Sequence, residues 1–138
     1  MPGVVNFDIK GAAEMENLLR QLGPKVAAKV GDKALLAGAK PIVQEAKRLV
    51  PKKTGRLAKN IASQLKRNWG RVDERVIAIG VRKPVSRIFH LIEFGTSRAA
   101  AHPFMRPAMD SQAENALNEM GRVLAKGIED EAAKLAKG

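Results

Sequence analysis

Residues 71–81, RVDERVIAIGV, are the stretch on which the fold class turns, because most of the chain on either side of them carries helical spacing. Val72, Val76, Ile77, Ile79 and Val81 are β-branched and the last four largely alternate, the pattern of a half-buried strand. Trp69-Gly70 just before them reads as the turn of a hairpin. Upstream, residues 57–65 stay open between a short helix and a strand, with Leu57, Ile61 and Leu65 at spacing four favouring helix. Downstream, residues 86–94, SRIFHLIEF, suit either a buried strand or one short helix turning into Gly95.

The flanks are helical. Residues 12–22 place Met15, Leu18, Leu19 and Leu22 at spacings of three and four before Gly23-Pro24 stops them. A long helix is predicted from Pro24, suited to a first turn, to Leu49, with Ala27, Val30, Ala34, Ile42, Ala46 and Leu49 near one stripe. Pro41 lacks an N–H and crowds the carbonyl four residues back, which predicts a kink or break just before it. Pro51 biases Val50 out of the helical region, and Thr54 can cap the segment after it. Residues 99–103 read as a loop. From Phe104 or Pro107 a last helix runs to about Leu135, through Met105, Met109, Ala113, Ala116, Leu117, Met120, Val123, Leu124 and Ile128. About 30 residues at ~1.5 Å each is longer than a compact domain of this size is wide, so part of this helix is expected to pack on another chain, the alternative being a helix frayed over its last two turns. The prediction is one α+β domain over residues 1–138, with a long helix in the N-terminal half, a small antiparallel β-sheet and a long C-terminal helix.

The 138 residues contain no cysteine, which excludes disulfides, zinc–cysteine clusters and thiol catalysis, and fits a reducing cytoplasm. The N-terminus has no basic stretch followed by an apolar run, and no segment approaches the ~18 to 20 apolar residues that span a bilayer, so neither secretion nor membrane spanning is expected. Charge is unevenly placed: residues 1–85 hold 18 basic and 7 acidic residues and residues 86–138 hold seven of each, so the whole excess of +11 lies in the first part. The candidate basic face is Lys47, Arg48, Lys52, Lys53, Arg56, Lys59, Lys66, Arg67, Arg71, Arg75, Arg82 and Lys83. Such a block favours an anionic neighbour, either nucleic acid met through its phosphates or an acidic protein surface, and it is also compatible with a merely solvated face. Trp69 is the only aromatic within it, so base-specific reading has no support.

Enzymatic chemistry is poorly represented. With two histidines and no tyrosine, and without phosphate-loop, dinucleotide-turn, nucleophile-elbow or His-Glu-x-x-His patterns, neither catalytic nor cofactor-binding residues are assigned. His90 and Glu93 would share a helix face, but no third ligand stands at a recognisable spacing, so no metal is expected either. His102, before Pro103, reads as a turn or interface residue.

Two ordered segments resemble one known family. The first is Ala46-Lys47-Arg48-Leu49-Val50-Pro51 followed by Thr54-Gly55-Arg56-Leu57. The second is Ile92-Glu93-Phe94-Gly95-Thr96 followed by Ala101-His102-Pro103-Phe104-Met105-Arg106-Pro107-Ala108. Together they resemble the signatures of the neck or tail-completion proteins of long-tailed double-stranded DNA bacteriophages and prophages, with the match extending over roughly residues 12–135. Lys52-Lys53 stands where a hydrophobic–acidic pair is common in that family, and Pro41 interrupts a helix that is usually continuous.

The resemblance implies a structural virion protein without catalytic activity. It would form a homo-oligomeric ring, with a hexamer favoured, at the head–tail interface, and complete or join the tail to the DNA-filled head. Expected partners are copies of itself, neighbouring head-completion, tail-terminator or tail-tube proteins, and passing genomic DNA through non-specific contact. Its place would be the virion neck or tail top, after assembly in the host cytoplasm. The residues it implicates in subunit or neck contacts are Glu93, Phe94, Gly95, Thr96, His102, Pro103, Phe104, Arg106 and Pro107. The competing reading from charge alone is a non-specific double-stranded DNA-binding protein.

Overall fold

Gly23 sits at φ 94°, a backbone setting open to glycine, and separates helix α1 (Ala12–Leu22) from helix α2 (Pro24–Leu49), which starts on Pro24. The chain then forms α3 (Arg56–Asn60), strand β1 (Ile61–Leu65), strand β2 (Ile77–Val81), α4 (Ser86–Phe94) and α5 (Met105–Lys137). This computed structural model describes residues 12–51, 55–66, 75–83 and 86–137. The class is α+β, as the alternating 71–81 stretch predicts.

The scaffold is the pairing of α2 with α5. Val30 lies against Gly127, Gly38 against Ala116 and Met120, and Glu45 against Gln112, so the two helices run antiparallel. The buried stripe of α2 is Val30, Ala34, Gly38, Ala39, Ile42 and Ala46, mostly small residues, and α5 answers with Ala108, Ala116 and Ile128. Small side chains let the axes approach closely. A Cβ on Gly38 would stand 2.3 Å from Met120 Cγ and 3.0 Å from the Ala116 carbonyl oxygen, and one on Gly127 would stand 2.8 Å from Val30 Cγ1. α1 touches both long helices.

Of the kink or break that the missing N–H of Pro41 predicts, the break does not occur: α2 continues as helix through the position. Gly38, Ala39 and Ile42 on either side of it are all buried within the stripe that faces α5, so tertiary packing holds the helix over the lost bond. Residues 57–65 divide between their two sequence readings. Leu57 and Ile61 are both buried one helical turn apart, and from Ile61 (φ −75°, ψ 124°) the chain is extended as β1.

β1 and β2 form a two-stranded antiparallel sheet in which Ile61 faces Val81 and Leu65 faces Ile77. One backbone bond extends it at each end: Lys66 N–H donates to Val76 O (2.9 Å) and Arg82 N–H to Asn60 O (2.8 Å). Within the predicted 71–81 stretch the described strand β2 covers Ile77–Val81, and Arg75, just before it, is engaged with Asp32 on α2. Residues 71–74, the Trp69-Gly70 turn and the Thr54 cap lie outside the described residues. Residues 86–94 resolve as helix and 95–104 as loop.

The core gathers at one end of the helix pair. Ala46, Val50, Leu57, Ile61, Phe104, Met105 and Ala108 are buried together, with Val43, Leu49, Ala58, Ile79, Val81, Phe89 and Ile92 packed around them. Phe104 is fully buried and meets Phe89 edge-on, ring centroids 5.6 Å apart at 82°. At the opposite end α5, 33 residues or about 50 Å long, outruns the 26-residue α2 of about 39 Å. Leu135, near its end, is 65 % exposed. Among the described residues no helix is long and apolar enough to cross a membrane.

Candidate functional site

The second sequence motif folds into a corner between α4 and α5, and Glu93 organises it. Its carboxylate is buried and accepts three backbone N–H groups at the start of α5: Phe104 and Met105 on Oε1, both at 3.0 Å, and Arg106 on Oε2 at 3.1 Å. The first N–H groups of a helix have no partner within it, and the positive end of the helix dipole favours an anion there. No Ser, Thr, Asp or Asn precedes Phe104 to serve as a local cap, since Pro103 and His102 stand there. Glu93, reached by tertiary folding, takes that role.

The loop of residues 95–103 is held by its own backbone. Gly95, at φ 76°, donates its N–H to Leu91 O (2.9 Å) and so terminates α4 in the left-handed conformation. A Cβ at that position would lie 2.8 Å from the Ala101 nitrogen, so only glycine fits. Thr96 Oγ1 accepts from the N–H groups of Arg98 (3.2 Å) and Ala99 (3.0 Å), while Thr96 N–H donates to Ala99 O (2.9 Å). His102 N–H donates to Ile92 O (2.8 Å) and returns the loop to α4.

The nine contact residues implied by the resemblance therefore separate by position. Glu93 and Phe104 point inward and shape the corner; Phe94, Thr96, His102, Pro103 and Arg106 are exposed on it; Gly95 makes the turn; Pro107 is half-buried in the first turn of α5. The Arg106 guanidinium lies 3.6 Å from Asp110, one turn along α5. His90 stacks on Phe94, with centroids 6.3 Å apart and planes at 15°. Because the Glu93 carboxylate is taken up by backbone N–H groups, His90 and Glu93 do not assemble as the start of a metal site. Among the described residues no group of three or more His, Asp or Glu stands close enough to hold a metal ion.

The basic stretch does not act as one unit. Arg75 is drawn inward to Asp32 by two hydrogen bonds, Nε to Oδ1 at 2.7 Å and Nη2 to Oδ2 at 2.6 Å. That hydrogen bonding, with a smaller Coulombic contribution from Asp32, outweighs burial and holds the guanidinium above its usual pKa. Arg48 is paired with Glu45, and Lys66 donates to Gln64 (3.1 Å). Lys47, Arg56, Lys59, Arg82 and Lys83 are exposed. They stand on the last turn of α2, on α3 and just after β2, around the same pole as the corner, where Arg82 joins Asn60 through the backbone. Lys52, Lys53, Arg67 and Arg71 lie outside the described residues.

Two features escaped sequence reading. Glu93 as a cap is invisible to local rules, because its donors lie 11 to 13 residues downstream; the missing local cap before Phe104 was the available signal. The second is that Ile88 and Leu91 join Phe94, already among the expected contact residues, in an outward row on α4, a segment that suited a buried strand as well as a short helix.

A family model, HK97-gp10_like, described as "Bacteriophage HK97-gp10, putative tail-component", matches residues 13–95. That span runs from α1 to the Gly95 turn, taking in all of the first motif and the start of the second. No curated protein and no solved structure matches the chain.

Proposed function

From the premise that this chain belongs to the HK97-gp10-like family of bacteriophage tail components, a structural family, we propose that it forms a ring at the head–tail interface and joins or completes the tail on the DNA-filled head. The observation that carries this reading is the braced corner. Glu93, Gly95 and Thr96 fix a rigid turn whose exposed residues are Phe94, His102, Pro103 and Arg106, a surface prepared for contact before any partner arrives.

Assembly then follows mass action. A single-domain subunit is soluble alone and becomes ordered in a closed ring, a hexamer to match the tail's symmetry, once neighbours raise its local concentration. The corner and α5 supply contacts between subunits and with neighbouring head-completion, tail-terminator or tail-tube proteins. The protruding end of α5, with Leu135 in water, reaches beyond its own helix pair to the next subunit. The role needs no catalysis, no cofactor and no metal, and its site is the virion neck.

The exposed cations on α2, α3 and after β2 favour a second reading, non-specific contact with duplex DNA. Facing the lumen, they would hold the genome back as it leaves, so contact with acidic protein surfaces is the preferred use. A log–log salt slope for random duplex steeper than about −4 would favour the DNA reading, because the slope counts neutralised phosphates.

Deleting the gene from the phage or inducible prophage that carries it, followed by negative-stain electron microscopy of the lysate, tests the proposal. Filled heads beside separate tails are expected. Intact virions in normal number would overturn it.

A further inference from the structure

The two sides of α4 differ in chemistry. Phe89, Ile92 and Glu93 face the core, whereas Ile88 is 43 %, Leu91 55 % and Phe94 73 % exposed, in one row at steps of three. A helix that keeps three large apolar side chains in water, next to a corner braced by buried hydrogen bonds, presents a contact surface. The chain on both sides of α4 carries exposed cations. Arg82 and Lys83 are exposed just ahead of α4, Arg98 is exposed four residues past Phe94, and Arg106 is tied to the end of α4 through its own N–H on Glu93. The acid of α4 itself, Glu93, faces inward, and the exposed Asp110 lies 3.6 Å from Arg106.

That charge pattern selects the occupant. Two copies meeting through this face would bring these cations together, which opposes association. The acidic run of a second copy, residues 129–131, is a weak alternative: Glu129 and Asp130 are exposed, but Lys29, Lys33 and Lys134 line the same groove as Asp130 and Glu131, and Glu131 is engaged by Lys29 (3.8 Å) and Lys134 (3.3 Å). Duplex DNA would satisfy the arginines and leave the apolar row wet. We propose that Ile88, Leu91 and Phe94 seat in an apolar groove, bordered by Asp and Glu side chains, on a different virion protein adjoining this one. The inference rests on the head–tail joining reading and deepens it, adding Ile88 and Leu91 as contact residues and stating the partner's chemistry.

The test complements the gene deletion with full-length variants and, separately, places a photoreactive phenylalanine analogue at position 91. Leu91→Ser/Phe94→Ser and Arg98→Glu/Arg106→Glu should each lower plaque titre by about a hundredfold or more, the loss expected on removing central contacts. Both purified variants should keep the parent's circular dichroism and urea midpoint, since all four side chains are exposed. If the serine pair fails to fold, the arginine pair carries the comparison. The crosslink should join position 91 to another virion protein, and Asp→Lys or Glu→Lys changes at the crosslinked site should restore titre to Arg98→Glu/Arg106→Glu. Parental titres for both variants, a crosslink to a second copy, or a crosslink to DNA would overturn the inference. Intact virions from the uncomplemented deletion would instead overturn the joining reading, while the crosslink still decides what the row touches.

Discussion

Replacing Glu93 tests whether one side chain holds α4 to α5. In Glu93→Ala the N–H groups of Phe104 and Met105, residues 0 % and 7 % exposed, lose their acceptor with little access to water. Each buried orphan donor costs about 1–3 kcal/mol, and the third, on exposed Arg106, can turn to solvent, so the expected loss is about 2–6 kcal/mol. Set against about 5–15 kcal/mol for a whole domain, that is a large share. Glu93→Gln keeps one oxygen for the two buried donors but sets an amide NH₂ against the Arg106 N–H and removes the charge at the helix terminus, so a loss of about 1–2 kcal/mol is expected. Urea unfolding followed by circular dichroism should show the midpoint falling in the order parent, Gln, Ala, with an unchanged slope. Hydrogen exchange should show the amides of residues 104–106 losing protection. An alanine variant within about 0.5 kcal/mol of the parent would refute this account of the corner, because so small a change is that of an ordinary surface substitution.

Gly38→Ala should destabilise by about 1–2 kcal/mol despite alanine's advantage of about 1 kcal/mol in a helix, because the new Cβ collides with Met120 and presses on the Ala116 carbonyl; a thermal melt at or above the parent's would contradict the close approach of α2 and α5. A double-mutant cycle of Asp32→Ala and Arg75→Ala should give a coupling of about 1–2 kcal/mol, as expected for a bidentate, part-buried pair, and a value near zero would mean that Arg75 does not tie the start of β2 to α2. Pro41→Ala should raise stability by about 1–2 kcal/mol, since it restores a backbone bond in a helix that already continues past the position, less the loss from a freer unfolded chain; a fall in the urea midpoint would show that the proline ring contributes packing instead.

Local physics made several elements legible in the amino-acid order alone. Helical spacing and the Gly23-Pro24 stop placed α1 and α2 at their observed bounds, β-branching and alternation located β2, and Gly95 after Phe94 marked the turn it makes. The ordered motifs, with their mixture of turn residues and anchors, were enough for the family, which residues 13–95 match. Folding decided the rest, wherever the outcome depends on a partner distant in sequence. Pro41 stays helical because α5 packs against the residues around it. Residues 57–65 divide between helix and strand because Ile61 must be both the end of one buried turn and the partner of Val81. Arg75 belongs to Asp32 and not to a continuous basic face, since a carboxylate 43 residues upstream is brought within hydrogen-bonding reach. Likewise Glu93 is buried because only the folded chain places three unpaired N–H groups before it, while Phe94, in a segment that suited either a buried strand or one short helix, is left in water on the helix's other side.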